Sequence, residues 1–157
     1  MKKWILILIA VVIAALGTSI KVYHSATEPL KDAQDKAIAR ASAQVHFSKV
    51  EDFHIYNGLE TVYVIEGKNQ DGKKIIAWVP DKKGKIIVKK AAEGLTKQEA
   101  VQKLLEEKNP EKIISVRLGL EKNIPLWEIY YRSDNDLINY YYIHFETGEW
   151  LKKIENL

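Results

Sequence analysis

The chain contains no cysteine. That excludes disulfides, thiolate zinc sites, iron–sulfur ligation, a cysteine nucleophile and an acylated lipoprotein cysteine. Proline and glycine are sparse, at four and eight residues, which leaves little room for a long flexible linker. Histidine is limited to His24, His46, His54 and His144, and no two make a short-spaced ligand pair. His46 and His54 stand eight apart across an expected helix–strand junction, so no metal is assigned. Asp134-Asn135-Asp136 has the Asp-x-Asp form of a calcium loop, but the glycine and terminal glutamate of an EF-hand are missing. A turn is the better reading.

Catalytic signatures are missing as well. There is no Gly-x-Ser-x-Gly, no phosphate-cradling glycine loop and, beyond residue 21, no Ser-x-x-Lys. Carboxylates are abundant, so pairing any two as acid and base is arbitrary. The expectation is a protein that is not an enzyme and uses no cofactor.

What is present is ordinary globular composition, 46% hydrophobic and 29% charged, with a net charge of +3. The place of that charge matters. Lys2, Lys3 and Lys21 supply the excess, and the remaining 21 basic residues balance 21 acidic ones. The excess therefore does not describe a nucleic-acid footprint. Residues 22–91 carry 12 basic and 9 acidic residues, whereas 92–157 carry 9 and 12, so neutrality hides a basic and an acidic half. Lys82, Lys83, Lys85, Lys89 and Lys90 form a candidate basic patch for anionic wall polymer or lipid headgroups. Lysines that block edge pairing are the plainer account.

One uncharged run stands at the start: Trp4, Ile5, Leu6, Ile7, Leu8, Ile9, Ala10, Val11, Val12, Ile13, Ala14, Ala15, Leu16, Gly17, Thr18, Ser19 and Ile20. Its 17 residues reach the lower bound for a helix that spans a bilayer. Trp4 and Tyr23 bracket it as interface aromatics do. The flanking lysines place the N-terminus in the cytoplasm and the bulk outside. A cleaved signal peptide with the core Trp4–Leu16 and small residues at Ala15 and Gly17 is the alternative.

The rest reads as a helix followed by strands, twice. Pro29 to about Val45 is the first helix, capped by Thr27 or Glu28, with Leu30, Ala33, Ala37, Ala41 and Val45 on one stripe. Lys97 to about Lys108 is the second, with a Thr96/Glu99 capping box and a stripe of Ala100, Val101, Leu104 and Leu105. Strands are expected at 50–56, 61–66, 74–79 and 85–88, then at 113–120, 126–131, 137–144 and 149–153. Turn residues separate them, including Asn57-Gly58, Asp71-Gly72 and Asn123-Ile124-Pro125. A shift of 64 residues lays Tyr63 on Trp127, Ile65 on Ile129, Val79 on Ile143 and Gly84 on Gly148. It also lays Ala37 and Ala41 on Val101 and Leu105. The fold expected is α+β: residues 1–25 as stub, anchor and juxtamembrane stretch, then units 26–91 and 92–157, each a helix on an antiparallel sheet.

Aromatics crowd the second unit. Trp127, Tyr130, Tyr140, Tyr142 and Trp150 are candidates for a partner surface, because alternation must send one set of the strand tyrosines away from the helix. The closing hairpin, Tyr140 to Trp150 with its Glu146-Thr147-Gly148 turn, resembles the end of a PepSY domain. Asp81-Lys82-Lys83-Gly84 is a looser copy. The whole layout, lysines, one span, an alanine-rich helix and two PepSY-like units, resembles the YpmB/TseB-like family of Gram-positive bacteria. Pro125-Leu-Trp-Glu-Ile-Tyr130 adds to the likeness. That resemblance implies a membrane-anchored extracytoplasmic regulator of cell wall elongation that acts with a class B penicillin-binding protein. Inhibition of an extracytoplasmic peptidase is a second possibility. The helix-on-sheet form resembles cystatins, but Gln44–Ser48 departs from their Gln-x-Val-x-Gly loop.

Overall fold

A computed structural model describes residues 2–155 and 157, with the side chains of residues 2, 5–11, 14, 20, 24, 26 and 135 outside that description. The chain divides into two compact units, Met1–Lys36 and Ala37–Leu157.

The first helix, α1, runs Lys2–Ala41 without a break. This corrects two expected boundaries. Pro29 sits inside the helix rather than at its first turn, because a proline forfeits one backbone hydrogen bond but keeps helical φ. Thr27 does not cap; its hydroxyl donates to the Tyr23 carbonyl one turn back at 2.9 Å. The helix also stops at Ala41, four residues before Val45, in a turn where the Gln44 and Val45 amides both donate to the Ala41 carbonyl. Leu30 of the expected stripe is exposed, while Ala37 and Ala41 are buried. Most side chains of the expected span lie outside the described residues. Among the described residues no helix is long and apolar enough to cross a membrane.

Two four-stranded antiparallel meanders follow. The first comprises β1 (Phe47–Asn57), β2 (Thr61–Asn69), β3 (Lys74–Pro80) and β4 (Ile87–Lys90). Helix α2 (Lys97–Glu107) comes next. The second meander comprises β5 (Lys112–Glu121), β6 (Ile124–Arg132), β7 (Ile138–His144) and β8 (Trp150–Ile154). The capping box forms as its spacing requires: Thr96 Oγ1 accepts from the Glu99 amide, and the Glu99 carboxylate accepts from the Thr96 amide at 2.8 Å. The β5–β6 connection is tighter than expected. Lys122 and Asn123 both have positive φ, the two-residue type I′ geometry, so Ile124 and Pro125 already belong to β6. Of the two repeated turn glycines only Gly148 is left-handed, at φ 69°.

The first sheet is covered on both faces. Ile65, Ala77 and Val79 pack with Ala37 and Ala41 of α1. Tyr56, Val62, Val64, Ile76 and Trp78 on its other face join the core built on the second sheet and α2. Trp78 meets Phe145 edge to face at 5.3 Å. In the second sheet α2 contributes Ala100 and Leu104, with Leu105 exposed. The helices thus align at an offset of 63, one less than the strands, because Ala100 and Leu104 take the places of Ala37 and Ala41.

Candidate functional site

The second sheet separates its aromatics by strand alternation. Trp127, Ile129 and Tyr131 stand opposite Ile143, Tyr141 and Asn139, and this face meets α2. Trp127 Nε1 donates to the Leu95 carbonyl at 2.9 Å, and Trp127 is only 7% exposed. Its expected place on a partner surface is therefore corrected: a buried indole needs a partner for its N–H, and the chain entering α2 supplies one. Burial and a hydrogen bond to Glu107 raise the Tyr141 phenol well above its ordinary value.

The opposite face carries the other set. Tyr130 pairs with Tyr140, and Glu128 with Tyr142. Tyr130 and Tyr140 stack at 4.9 Å, and Tyr140 and Tyr142 at 6.3 Å, with interplanar angles of 15° and 18°. Tyr130 and Tyr140 are half-buried, while Tyr142 is buried in the core cluster with Tyr56, so its expected place on a partner surface is corrected as well. Trp150, opposite Ile143 on the edge strand, is 52% exposed.

A charged rim closes one end of the row. Arg117 Nε donates to the buried Glu128 carboxylate at 2.6 Å. Lys152 stands 4.5 Å over the Tyr142 ring and 3.3 Å from Glu121. Burial, then the Glu128 carboxylate, pushes the Tyr142 phenol well above its ordinary value, so it remains a neutral donor. Tyr56 arrives from β1 and lies against Gly119, where any Cβ would stand 2.5 Å from its ring. Its hydroxyl donates to Glu121 at 3.3 Å.

The five lysines of the basic patch do not act as one. Lys89 pairs with Glu146 at 2.7 Å and Lys90 with Glu93 at 3.5 Å. Lys82, Lys83 and Lys85 are exposed in the β3–β4 turn. Arg40 of α1 donates to the Pro80, Asp81 and Lys82 carbonyls of that turn and holds its shape. Lys83 and Lys85 line a hollow of about 270 Å³ together with Lys122 and Glu60. Lys122 was missed at the level of sequence because only tertiary structure brings two distant hairpin turns together.

Strand register also assembles a group that spacing did not reveal. Asp52 and His54 share a face of β1, and Glu66 stands directly opposite Asp52 on β2. One donor atom from each falls within 4.8 Å of the other two. Elsewhere the histidines and aspartates have local tasks. His144 Nδ1 accepts from the Glu146 and Thr147 amides at 3.2 Å. Asp136 accepts from Arg132 at 3.0 Å, which ties the Asp134–Asp136 turn down as expected.

The second sheet thus has one face covered by α2 and a tyrosine row on the other. Residues 94–154 match the model of the peptidase propeptide and YPEB (PepSY) domain, and residues 36–80 match the cell wall elongation regulator TseB-like domain. The probable cell wall elongation regulator TseB of Bacillus subtilis (strain 168) is 32% identical over 143 residues, which cover 90% of this chain and 89% of that one. The solved YpmB protein from Bacillus subtilis superposes with a TM-score of 0.73 at 33% identity, over 77% of this chain and 95% of its own. The chain belongs to the TseB-like family of cell wall elongation regulators. These matches describe a regulator and a propeptide-type module, so the protein is not an enzyme.

Proposed function

We propose that the protein is a single-pass, extracytoplasmic regulator of cell wall elongation that docks a class B penicillin-binding protein on the tyrosine face of its second sheet. Regulation of elongation follows the name of the Bacillus subtilis relative. The anchor is Trp4–Ile20, with the N-terminus cytoplasmic. Trp4, Val12, Ile13 and Leu16 are exposed on α1, which suits lipid rather than water. Thr18 and Ser19 return their hydroxyls to the Ala15 carbonyl at 2.9 and 2.8 Å, which satisfies them without solvent.

The body is read as two PepSY-like units, 26–91 and 92–157, from one repeated design. Buried Ile65, Ala77 and Val79 map at 64 residues onto buried Ile129, Tyr141 and Ile143, and both sets lie under their own helix. The same offset carries the observation on which the docking site rests. Val64, Ile76 and Trp78 map onto Glu128, Tyr140 and Tyr142. In the first sheet that face is covered by the second unit. In the second sheet the equivalent positions form the tyrosine row and its charged rim. Glu128 and Tyr142 are buried at the rim beside Tyr56, while Tyr140 stays accessible next to Tyr130, so that end of the face is open to a partner. Tyrosines supply amphipathic anchors for a protein partner, and a shared membrane layer lets a modest affinity suffice.

Crosslinking in intact membranes tests this. Recovery of a class B penicillin-binding protein, with altered elongation in a deletion strain, is expected. Recovery of a peptidase instead, or unchanged elongation, contradicts it. A second reading is favoured by the Lys83, Lys85 and Lys122 hollow: capture of anionic wall polymer. Salt-sensitive retention of that polymer, lost on Lys83→Glu and Lys85→Glu, is its test.

A further inference from the structure

Asp52, His54 and Glu66 have no task in the docking surface, and their arrangement breaks a local rule. Asp52 and Glu66 are direct cross-strand partners, where like charges repel. A register shift between Val50 and Asp52 accompanies the pair, and such bulges re-aim side chains. Gly67 accommodates it, since a Cβ there would stand 2.3 Å from the Lys49 carbonyl. Among the described residues Glu66 makes no ion pair, and burial, then the Asp52 carboxylate, holds its carboxyl above its ordinary value.

His54 supplies the second observation. Its Nε2 stands 3.0 Å from the Leu118 carbonyl of β5, an acceptor, so Nε2 carries the proton and donates. In the neutral ring Nδ1 is then a bare lone pair, and it faces Asp52 Oδ2 at 3.2 Å. Two acceptors this close are bridged either by a proton or by a metal cation, and the third donor atom, from Glu66, lies within 4.8 Å of both. Their separation is close to the roughly 3.3 Å edge of a tetrahedron with bonds of about 2.0–2.1 Å to zinc. A ligating histidine that donates its other N–H to a backbone carbonyl is the usual outer arrangement of a metal site. The three side chains open on a groove of about 400 Å³ at the edge of β5, with Lys74, Lys97 and Arg117 also on its wall.

We infer that His54 Nδ1, Asp52 and Glu66 bind a divalent transition cation of the zinc class, leaving one coordination position open to water or to a group from a partner. An imidazole with two carboxylates suits zinc-class ions, whereas calcium and magnesium take oxygen ligands. Because Leu118 belongs to the second sheet, the ion fixes the ring that bridges the two sheets.

The test uses the full chain in detergent, stripped of metal, with Zn²⁺ and Co²⁺ as probes. Equilibrium dialysis should retain one Zn²⁺ per chain, Co²⁺ should give a visible ligand-field spectrum, and the melting temperature should rise with Zn²⁺ concentration. Asp52→Asn, at an exposed position, keeps the fold and should weaken binding at least about tenfold. His54→Ala should abolish the Co²⁺ spectrum, and His144→Ala should not. Three results overturn the assignment: no retained Zn²⁺ in the wild type, Zn²⁺ retention indifferent to both variants, or Ca²⁺ held as tightly as Zn²⁺. A ring of His54 that stays doubly protonated in Zn²⁺ by nitrogen NMR overturns it as well, since a proton then fills the place of the metal.

Discussion

Trp78 anchors the junction of the two sheets. It is fully buried and edge-on to Phe145, and its Nε1 finds no hydrogen-bond partner among the described residues. Trp78→Ala should cost about 3–5 kcal/mol in urea unfolding. Trp78→Phe should cost much less, because it keeps the ring and removes the orphaned donor. Gly119 is tuned to Tyr56 rather than to backbone conformation. Gly119→Ala drives a methyl into that ring and should destabilise by about 1–3 kcal/mol. Little of this residue-level detail was legible in the sequence. Trp127 and Tyr142 look alike as strand aromatics, but only the register shows that one serves α2 and the other the rim. Asp52 and His54 stand two apart in the sequence without any motif to single them out, and Glu66 joins them only through the β1–β2 pairing.

At the scale of elements, sequence patterning is more informative. All eight strands and α2 were legible, because alternation and turn residues act locally. α1 was misjudged at both ends, since Pro29 is compatible with helix and Val45 packs from a turn. Two predictions belong here. Thr96→Ala removes one half of the α2 capping box and should cost about 1 kcal/mol, read from thermal melts. The Lys89–Glu146 pair ties β4 to the β7–β8 turn. The Lys89 ammonium holds the Glu146 carboxyl below its ordinary value, so the unfolded chain binds that proton more readily. Stability from the pair is then present above the usual glutamate value of about 4.3 and declines as pH falls below it. Glu146→Gln should flatten that part of the acid limb, by a small amount that salt erases, because the pair is partly exposed.

For the whole molecule, the net charge of +3 resolves into three N-terminal lysines and two sequence halves, 22–91 and 92–157, of opposite sign. The offset between the sheets explains the disposition of the aromatics better than composition does. One face of each sheet serves its helix, and the other serves a neighbour. In the first sheet that neighbour is the second unit. In the second sheet the proposed neighbour is another protein, docked beside Tyr130 and Tyr140. Site-specific photocrosslinking from position 140 in native membranes is the most direct test, with position 102 on the exposed side of α2 as the reference. The account predicts an adduct with a class B penicillin-binding protein from position 140, absent from position 102 and reduced by Tyr130→Ala. An adduct formed equally from both positions, or none with any wall-synthesis protein, would contradict it.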